Sequence, residues 1–476
     1  MSIISQLKKS LPKNIVLSGE ENTRPFECDG LSVYKQKPLA VVLPNQVSQV
    51  KKVLEICRKN KTPVVTRGAG TGLSGGAMPL KDSIVLGLSK LTEVVSINQQ
   101  EQTAIVQPGV RNLAISEAAE EYGLYYAPDP SSQIACTIGG NVAENAGGVH
   151  CLKYGLTVQN IESIKILTID GDELVFSRQD EGLGLLALMT GSEGLLGVIT
   201  EVTVKLTKKP QLAKLVMAGF DSVRDCATAV AEIIKNGVIP AGLEMMDKFA
   251  IEAAEQFARP GYPLEAKALL LCELDGTEDL VNNDVEVVVS LLSKATSLRV
   301  SETEEERLLL WKGRKSAFPA VGRLSPDYYC MDGTIPKRHL ADVLEKINSL
   351  SKHYSLRVAN VFHAGDGNLH PLILYDAGIP GELEKTEEFG NEILKICIEA
   401  GGSITGEHGV GVEKLDAMCY QYSEAELDVF HQIKAAFDPD SLLNPGKAVP
   451  TLHRCAELGN MHVHHGNLPH PELERF

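Results

Sequence analysis

The stretch that most constrains this chain is Arg67-Gly68-Ala69-Gly70-Thr71-Gly72-Leu73-Ser74-Gly75-Gly76, with five glycines in nine positions. It follows a strand–helix–strand pattern. Leu39–Leu43 is a short apolar strand, and Asn45 is placed to cap a helix whose apolar positions Val47, Val50, Leu54 and Cys57 recur at helical spacing. Thr62–Thr66 is the second strand, and it runs straight into the glycines. Successive backbone N–H groups without side chains in the way form a concave anion site suited to a pyrophosphate. No Gly-Lys-Ser/Thr follows, so the loop is not of the Walker type. Ser83–Leu88 reads as another strand rather than a helix, so it is not the Rossmann fingerprint either.

Two further small-residue stretches follow. One is Pro128-Asp129-Pro130-Ser131-Ser132 with Thr137-Ile138-Gly139-Gly140-Asn141-Val142-Ala143-Glu144-Asn145-Ala146-Gly147-Gly148, and the other is Thr190–Ile199. Such density costs conformational entropy unless something packs closely on the backbone, as a large flat cofactor with a phosphate tail would. Between and after them the pattern predicts a helix from about Asn112 to Glu121, ending at Gly123. Strands are predicted at Ile161–Ile169 and Ile199–Leu206, with a domain boundary near Lys209-Pro210.

From Leu215 glycines thin out and strands alternate with helices. Leu215–Phe220, Ala268–Glu273, Tyr328–Ile335 and Arg357–His363 read as strands. Ser222–Asn236, Leu280–Ser293, Glu302–Lys312 and a segment after Pro380 read as helices. The run suggests an antiparallel sheet covered by helices. Within it, Val361-Phe362-His363-Ala364-Gly365-Asp366-Gly367-Asn368-Leu369-His370 carries two histidines seven residues apart, and Gly406-Glu407-His408-Gly409 adds a carboxylate and a third imidazole. Imidazole and carboxylate suit zinc, iron or manganese, and three protein ligands would leave positions open for chemistry. The competing interpretation is a set of surface-loop histidines with no common partner.

Composition narrows the class. Lys and Arg total 46 against 62 Asp and Glu, a net charge of −16, which argues against nucleic acid and against a polybasic membrane anchor. No apolar run approaches the ~18 residues of a membrane span. The segment Met1–Lys9 lacks the order of a signal peptide and reads as an amphipathic helix. The ten cysteines are scattered with no C-x-x-C, which excludes a cluster or zinc ribbon in this chain and indicates reduced thiols in the cytoplasm. Five of the twelve histidines, His453, His462, His464, His465 and His470, fall in the last 24 residues.

In this order, the glycine-rich stretches resemble the FAD-linked oxidases of the vanillyl-alcohol-oxidase type. The similar branch contains glycolate oxidase FAD subunits, D-lactate dehydrogenases and D-2-hydroxyglutarate dehydrogenases. Trp311–Lys315, Pro326–Pro336 and Leu468–Phe476 are most similar to the glycolate oxidase FAD subunits. The resemblance implies an α+β fold: a two-part FAD-binding domain over 38–210 and a ferredoxin-like antiparallel cap over 211–400. A segment at 401–450 returns to the flavin, flanked by a helical 1–37 and a histidine-rich tail at 451–476. It implies FAD, held non-covalently because no His or Cys lies between Arg67 and Gly76, although Cys136 is close in sequence to the second stretch.

By the same resemblance, Arg67, Gly68, Ala69, Gly70, Thr71, Gly72, Leu73 and Ser74 hold the pyrophosphate. Pro128, Asp129, Ser131, Ser132, Thr137, Gly139, Gly140, Asn141, Asn145, Gly147, Gly148, Tyr154, Gly155, Glu193, Gly194, Val198 and Ile199 line the rest of the cofactor, with Asn444 near the flavin. His363, His370 and Glu407 are the implied ligands of a divalent zinc, manganese or iron. His408 is the implied general base and Arg314 the clamp for a substrate carboxylate, against the alternative that Arg314 belongs to a solvated helix face. Cys330 and Leu372 stand where 2-hydroxyglutarate-type relatives carry a lysine and an asparagine, which favours glycolate or D-lactate oxidised to the 2-oxo acid by hydride transfer to flavin N5.

Electrons would pass to an acceptor other than oxygen through a second flavoprotein-like subunit and an iron–sulfur subunit. The setting would be the cytoplasm or the inner face of the membrane, with no transmembrane segment, and the tail would help docking. The alternatives are a D-2-hydroxyglutarate dehydrogenase and an alkyl-transferring flavoenzyme on the same fold. The latter tends to show a run of histidines where this chain has Glu407-His408. A flavin-free metallohydrolase would leave the glycine-rich half unexplained.

Overall fold

The computed structural model describes residues 1–451 and the backbone of Glu474–Arg475; the five tail histidines and most of Leu468–Phe476 lie outside the described residues. The chain forms two compact units. One comprises Met1–Gly147, Leu156–Lys208 and Glu407–Phe476, and the other Gly148–Gly155 with Lys209–Gly406.

In the first unit, strands Ala40–Val42, Ile84–Gly87 and Val64–Arg67 pair in parallel, with Ile84–Gly87 in the middle and Val16–Leu17 antiparallel on the outer edge. Val41, Val42, Val64, Val65, Ile84 and Val85 are all fully buried, as expected of parallel strands covered on both faces. Helix Val47–Lys59 makes the crossover and buries Val50, Val53, Leu54, Ile56 and Cys57. Its N-cap is Gln46 rather than the expected Asn45. Gln46 makes no side-chain cap bond, and the Gln49 side chain accepts from the Asn45 N–H at 2.9 Å, so a helix residue reaches back to serve the turn. The glycine loop leaves the carboxyl end of Val64–Arg67, the end at which open α/β sheets take ligands.

The unit's second sheet is antiparallel, in the order Glu173–Ser177, Ile161–Leu167, Val198–Lys205, Thr103–Val106, Val94–Asn98. Helix Asn112–Ala119 tightens into a 3₁₀ turn at Glu120–Tyr122 and stops at Gly123, whose φ of +67° lets the chain reverse.

The second unit is built on a seven-stranded antiparallel sheet. Its order is Ser297–Val300, Leu212–Phe220, Ala268–Gly276, Gly242–Asp247, Val358–His363, Asn368–Tyr375, Asp327–Cys330. One face carries Leu215, Met217, Leu269, Leu271, Met246, Ala359, Val361, Leu372 and Leu374 and packs on helices Lys248–Ala258 and Glu304–Lys315. The latter helix starts with Glu304, Glu305 and Glu306 behind a Thr303 cap and ends with Lys312, Arg314 and Lys315, the charge order its dipole favours.

Among the described residues, no helix is long and apolar enough to cross a membrane. Among the described residues, eight cysteines are free thiols and Cys419 is disulfide-bonded, so the expectation of ten reduced cysteines fails at Cys419.

Candidate active site

The two histidines of the 361–370 motif sit on a β-hairpin, not in surface loops. His363 ends one strand and His370 is the third residue of the next, with Val361 opposite His370 in the register. Residues two apart on a strand share a face, so both imidazoles project from the face that packs on the helices. They are 4% and 2% exposed, their ring centroids lie 5.0 Å apart at 89°, and a ring nitrogen of each lies within 4.8 Å of the other. The turn between them depends on Gly367, at φ +86°, where a Cβ would overlap the Ile335 carbonyl oxygen.

The neighbouring strand contributes a residue that the sequence reading missed. The register Met245↔Phe362 runs on to place Glu244 beside His363. One Glu244 oxygen is 2.7 Å from His363 Nδ1, and the other accepts from Arg314 Nε at 2.8 Å. Arg314 Nη2 also lies 2.6 Å from that second oxygen, yet its N–H bonds are not aligned with it and find no other acceptor among the described residues. Glu244 and Arg314 are each 1% exposed, so Arg314 does not belong to a solvated helix face. Burial alone would push the Glu244 carboxyl up, but the adjacent His363 and Arg314, with the hydrogen bonds they donate, outweigh it and hold the group below the usual carboxylate range. The available sequence signal was a lone acid inside the apolar run Leu243-Glu244-Met245-Met246, since a buried charge is rarely left unpaired.

His370 Nδ1 is 3.4 Å from the Met331 carbonyl oxygen, so both histidines engage their surroundings through Nδ1 and carry their other lone pair on Nε2. Cys330 and Leu372 are cross-strand partners, both buried, on the face that His370 shares. Tyr154, expected beside the cofactor, donates its hydroxyl to Asp275 at 2.6 Å within this same unit. It belongs to the segment 148–155, with Gly148 and Gly155 at the segment's ends.

Among the expected cofactor residues of the first unit, the glycine loop leaves the carboxyl end of strand Val64–Arg67 and meets Thr137. A Cβ on Gly68 would overlap Thr137 Oγ1, so the glycine loop lies against the start of helix Ile138–Glu144, where Thr137 caps Gly140. A Cβ on Gly72 would meet no atom within 4 Å, leaving that stretch of backbone approachable by a flat or phosphate-bearing group. The hydroxyls of Thr66 and Ser74 are buried without a hydrogen-bond partner among the described residues, which fits a polar ligand along this loop.

Several other expected residues serve the scaffold. Arg67 donates to the Cys28 carbonyl at 2.6 Å, and its guanidinium packs where a Gly70 Cβ would go. Asn141 accepts from Asn112, whose amide also donates to the Pro128 carbonyl. Asn145, at φ +52°, accepts from Val158 N–H at 2.9 Å. Asn444 donates to the Gly76 and Glu193 carbonyls and accepts from Lys447, tying the 444–447 turn to the end of the glycine loop.

Beneath this region buried charges are close-packed. Glu193 accepts from the Val410 and Gly411 N–H groups, both at 2.7 Å, with burial raising its pKa against those bonds. Burial and the adjacent Glu193 hold Glu144 well above the ordinary carboxylate range, and burial brings Lys447 down to about 7. Within the second unit, Gly406 donates to Asp332 at 3.1 Å and packs against Asn368. Within the first unit, Gly409, next to His408, packs on Glu144 and Glu193.

Residues 38–177 match the model for an FAD binding domain, and 209–448 that for the C-terminal domain of FAD linked oxidases. The chain is 59% identical over 480 residues to the glycolate oxidase subunit GlcD of Escherichia coli (strain K12), spanning 100% of this chain and 96% of that protein. It is 31% identical to a D-lactate dehydrogenase of Anaerostipes hadrus, over 94% of this chain and 96% of the other. Among solved structures, p-cresol methylhydroxylase with substrate bound superposes with a TM-score of 0.78 at 18% identity, covering 95% of this chain and 97% of that one. The matches together run through both units, and on them the chain belongs to the FAD-linked oxidase family that includes the GlcD subunits of glycolate oxidase and the D-lactate dehydrogenases.

Proposed function

We propose that this chain is the FAD-dependent subunit that oxidises a small 2-hydroxy acid, glycolate or D-lactate, to its 2-oxo acid with metal assistance. The observation that carries the reading is the buried Arg314 guanidinium, whose Nη2 protons are not spent on Glu244, on the sheet face that bears the paired imidazoles. A cation buried to 1% exposure with hydrogen-bonding capacity left over is matched by a carboxylate from a substrate.

The reaction removes a hydroxyl proton and the Cα hydride. An alcohol is about as weak an acid as water, with a pKa of about 16, so an unaided side chain cannot take that proton at neutral pH. FAD, held by Gly68–Ser74, Thr137–Gly140 and Glu193–Ile199, supplies the hydride acceptor. A divalent zinc, manganese or iron ion on His363, His370 and Glu407 would supply polarisation of the hydroxyl. The donor set fits such an ion: the Glu244 carboxylate fixes the His363 tautomer with its lone pair on Nε2, the arrangement that metal-binding histidines use. Arg314 binds the substrate carboxylate and orients Cα. His408 receives the hydroxyl proton on a ring nitrogen and releases it to solvent. Cys330 and Leu372 would leave a second, distal carboxylate desolvated without a cation, which selects against D-2-hydroxyglutarate.

The electrons leave through further subunits of a glycolate-oxidase-like complex. In this reading they include an iron–sulfur subunit and a second flavoprotein-like one, working in the cytoplasm or at the inner membrane face. Anaerobic stopped-flow mixing tests the core claim. Glycolate or D-lactate should bleach the flavin bands within the turnover time, whereas D-2-hydroxyglutarate should not. A colourless purified protein, or bleaching by the dicarboxylate alone, refutes it.

A further inference from the structure

One strand over from Glu244, on the same sheet face, a second carboxylate is buried that the mechanism above does not use. Glu273 is 3% exposed and lies opposite Gly242, in the register that places Leu271 opposite Glu244. Three donors surround it: Trp311 Nε1, Arg307 Nη1 at 2.9 Å and His150 Nε2 at 3.4 Å. Arg307, Trp311 and Arg314 stand at i, i+4 and i+7 of helix Glu304–Lys315 and so share one helix face. That face is bound to the sheet at two separate carboxylates, with Arg307 and Trp311 on Glu273 and Arg314 on Glu244.

One contact leaves a helix able to roll about its axis, and two fix both its roll and its height. Helix side chains reach about 5–6 Å from the axis, so a roll of about 20° displaces their ends by about 2 Å. That is more than a hydrogen bond tolerates. The indole has its place because residue 242 is glycine: a Cβ there would come within 3.1 Å of Trp311 Cη2 and Cζ2.

We propose that Glu273 is a positioning residue for substrate recognition, holding the Glu304–Lys315 helix through Trp311 and Arg307 so that Arg314 meets the substrate carboxylate. The proposal rests on Arg314 being the carboxylate anchor. It is tested on the full-length, flavin- and metal-loaded protein with Glu273→Gln, which weakens the hub, and Gly242→Ala, which crowds the indole without altering any charge. Arg314→Lys serves as the reference. Trp311 is the chain's single tryptophan, so its emission reports this helix alone.

Both test variants should raise KM for glycolate or D-lactate about tenfold, leave kcat within about threefold, and shift the Trp311 emission. Flavin and metal per chain should stay unchanged. If Arg314→Lys raises KM but Glu273→Gln leaves it within about twofold, the positioning role is wrong while the anchor stands. If Arg314→Lys itself leaves KM unchanged, the anchor reading fails first. If flavin content, metal content, kcat and melting temperature all fall together in both variants, Glu273 is a packing residue and the proposal is overturned.

Discussion

Replacing Glu244 by Gln changes neither the volume nor the shape of the side chain, so no cavity or overpacking enters the outcome. What changes is that one carboxylate oxygen becomes an NH₂ group. The native oxygens face His363 Nδ1 at 2.7 Å and Arg314 Nε at 2.8 Å, both donors, so the amide can satisfy one and must oppose the other. Arg314 is also left as a buried cation without its counter-charge, at 1% exposure where water cannot compensate. Removing one partner of a buried ion pair costs about 3–5 kcal/mol, and a single hydrogen bond to a charged group is worth about 1.5–3 kcal/mol. Taking about 3 kcal/mol as the share felt by the site, and about 1.4 kcal/mol per tenfold, kcat/KM should fall by about two orders of magnitude. If His363 holds the proposed metal, loss of the acceptor that orients it should weaken metal affinity by about 10- to 100-fold.

The assay has three arms on one preparation: flavin absorbance per protein, metal per protein by elemental analysis, and steady-state kinetics with an artificial acceptor. Flavin content should match wild type, because the glycine loop and its supports are unaltered. Metal content and kcat/KM should both drop. Glu244→Asp, one methylene too short to reach both donors, should fall between the two. A Glu244→Gln protein with metal content and kcat/KM within about threefold of wild type would refute the reasoning.

His370→Ala or Glu407→Ala should give a protein that keeps its flavin spectrum but is not bleached by glycolate or D-lactate; bleaching at the wild-type rate would remove that residue from the ligand set. Gly411→Ala should be purified largely without flavin, because Gly411 has φ +52° and a Cβ there would overlap the Ser74 carbonyl oxygen, straining the turn that Glu193 holds. A normal flavin-to-protein ratio would contradict that. Asp247, which caps helix Lys248–Ala258 and accepts from Asn360, has its pKa raised by burial to about 6 from 3.8. Its protonated form is the one the fold prefers, so its contribution is fully present below about pH 4 and is lost as pH rises to about 6, by about 3 kcal/mol. Relative to Asp247→Asn, wild type should lose about that much unfolding free energy between pH 4 and 7 in denaturant titrations, and a pH-independent difference would disprove the assignment.

The glycine loop and the flanking strands were legible in the sequence because each is a local pattern: periodic apolar residues, or small residues crowded where backbone must stay open. Helix Val47–Lys59 and the stop at Gly123 came out for that reason, and the Asn45 cap failed because the helix begins one residue later, behind Gln46, with the Gln49 side chain accepting from the Asn45 backbone N–H. The scaffolding charges could not be read in this way. Glu244 is one acid among many until strand register puts it beside His363, and that register is set by contacts more than a hundred residues apart in sequence. Glu273, Glu193 and Lys447 share that property, being charged residues in otherwise apolar or glycine-rich runs whose partners lie on other elements. A buried charge is costly enough that it persists only with a partner. An isolated acid or lysine inside an apolar strand is therefore itself a prediction that a partner exists, even when the sequence cannot name it. Applied to Leu243-Glu244-Met245-Met246 or Leu271-Cys272-Glu273-Leu274, that rule marks both anchor points of the Arg314 helix before any fold is known.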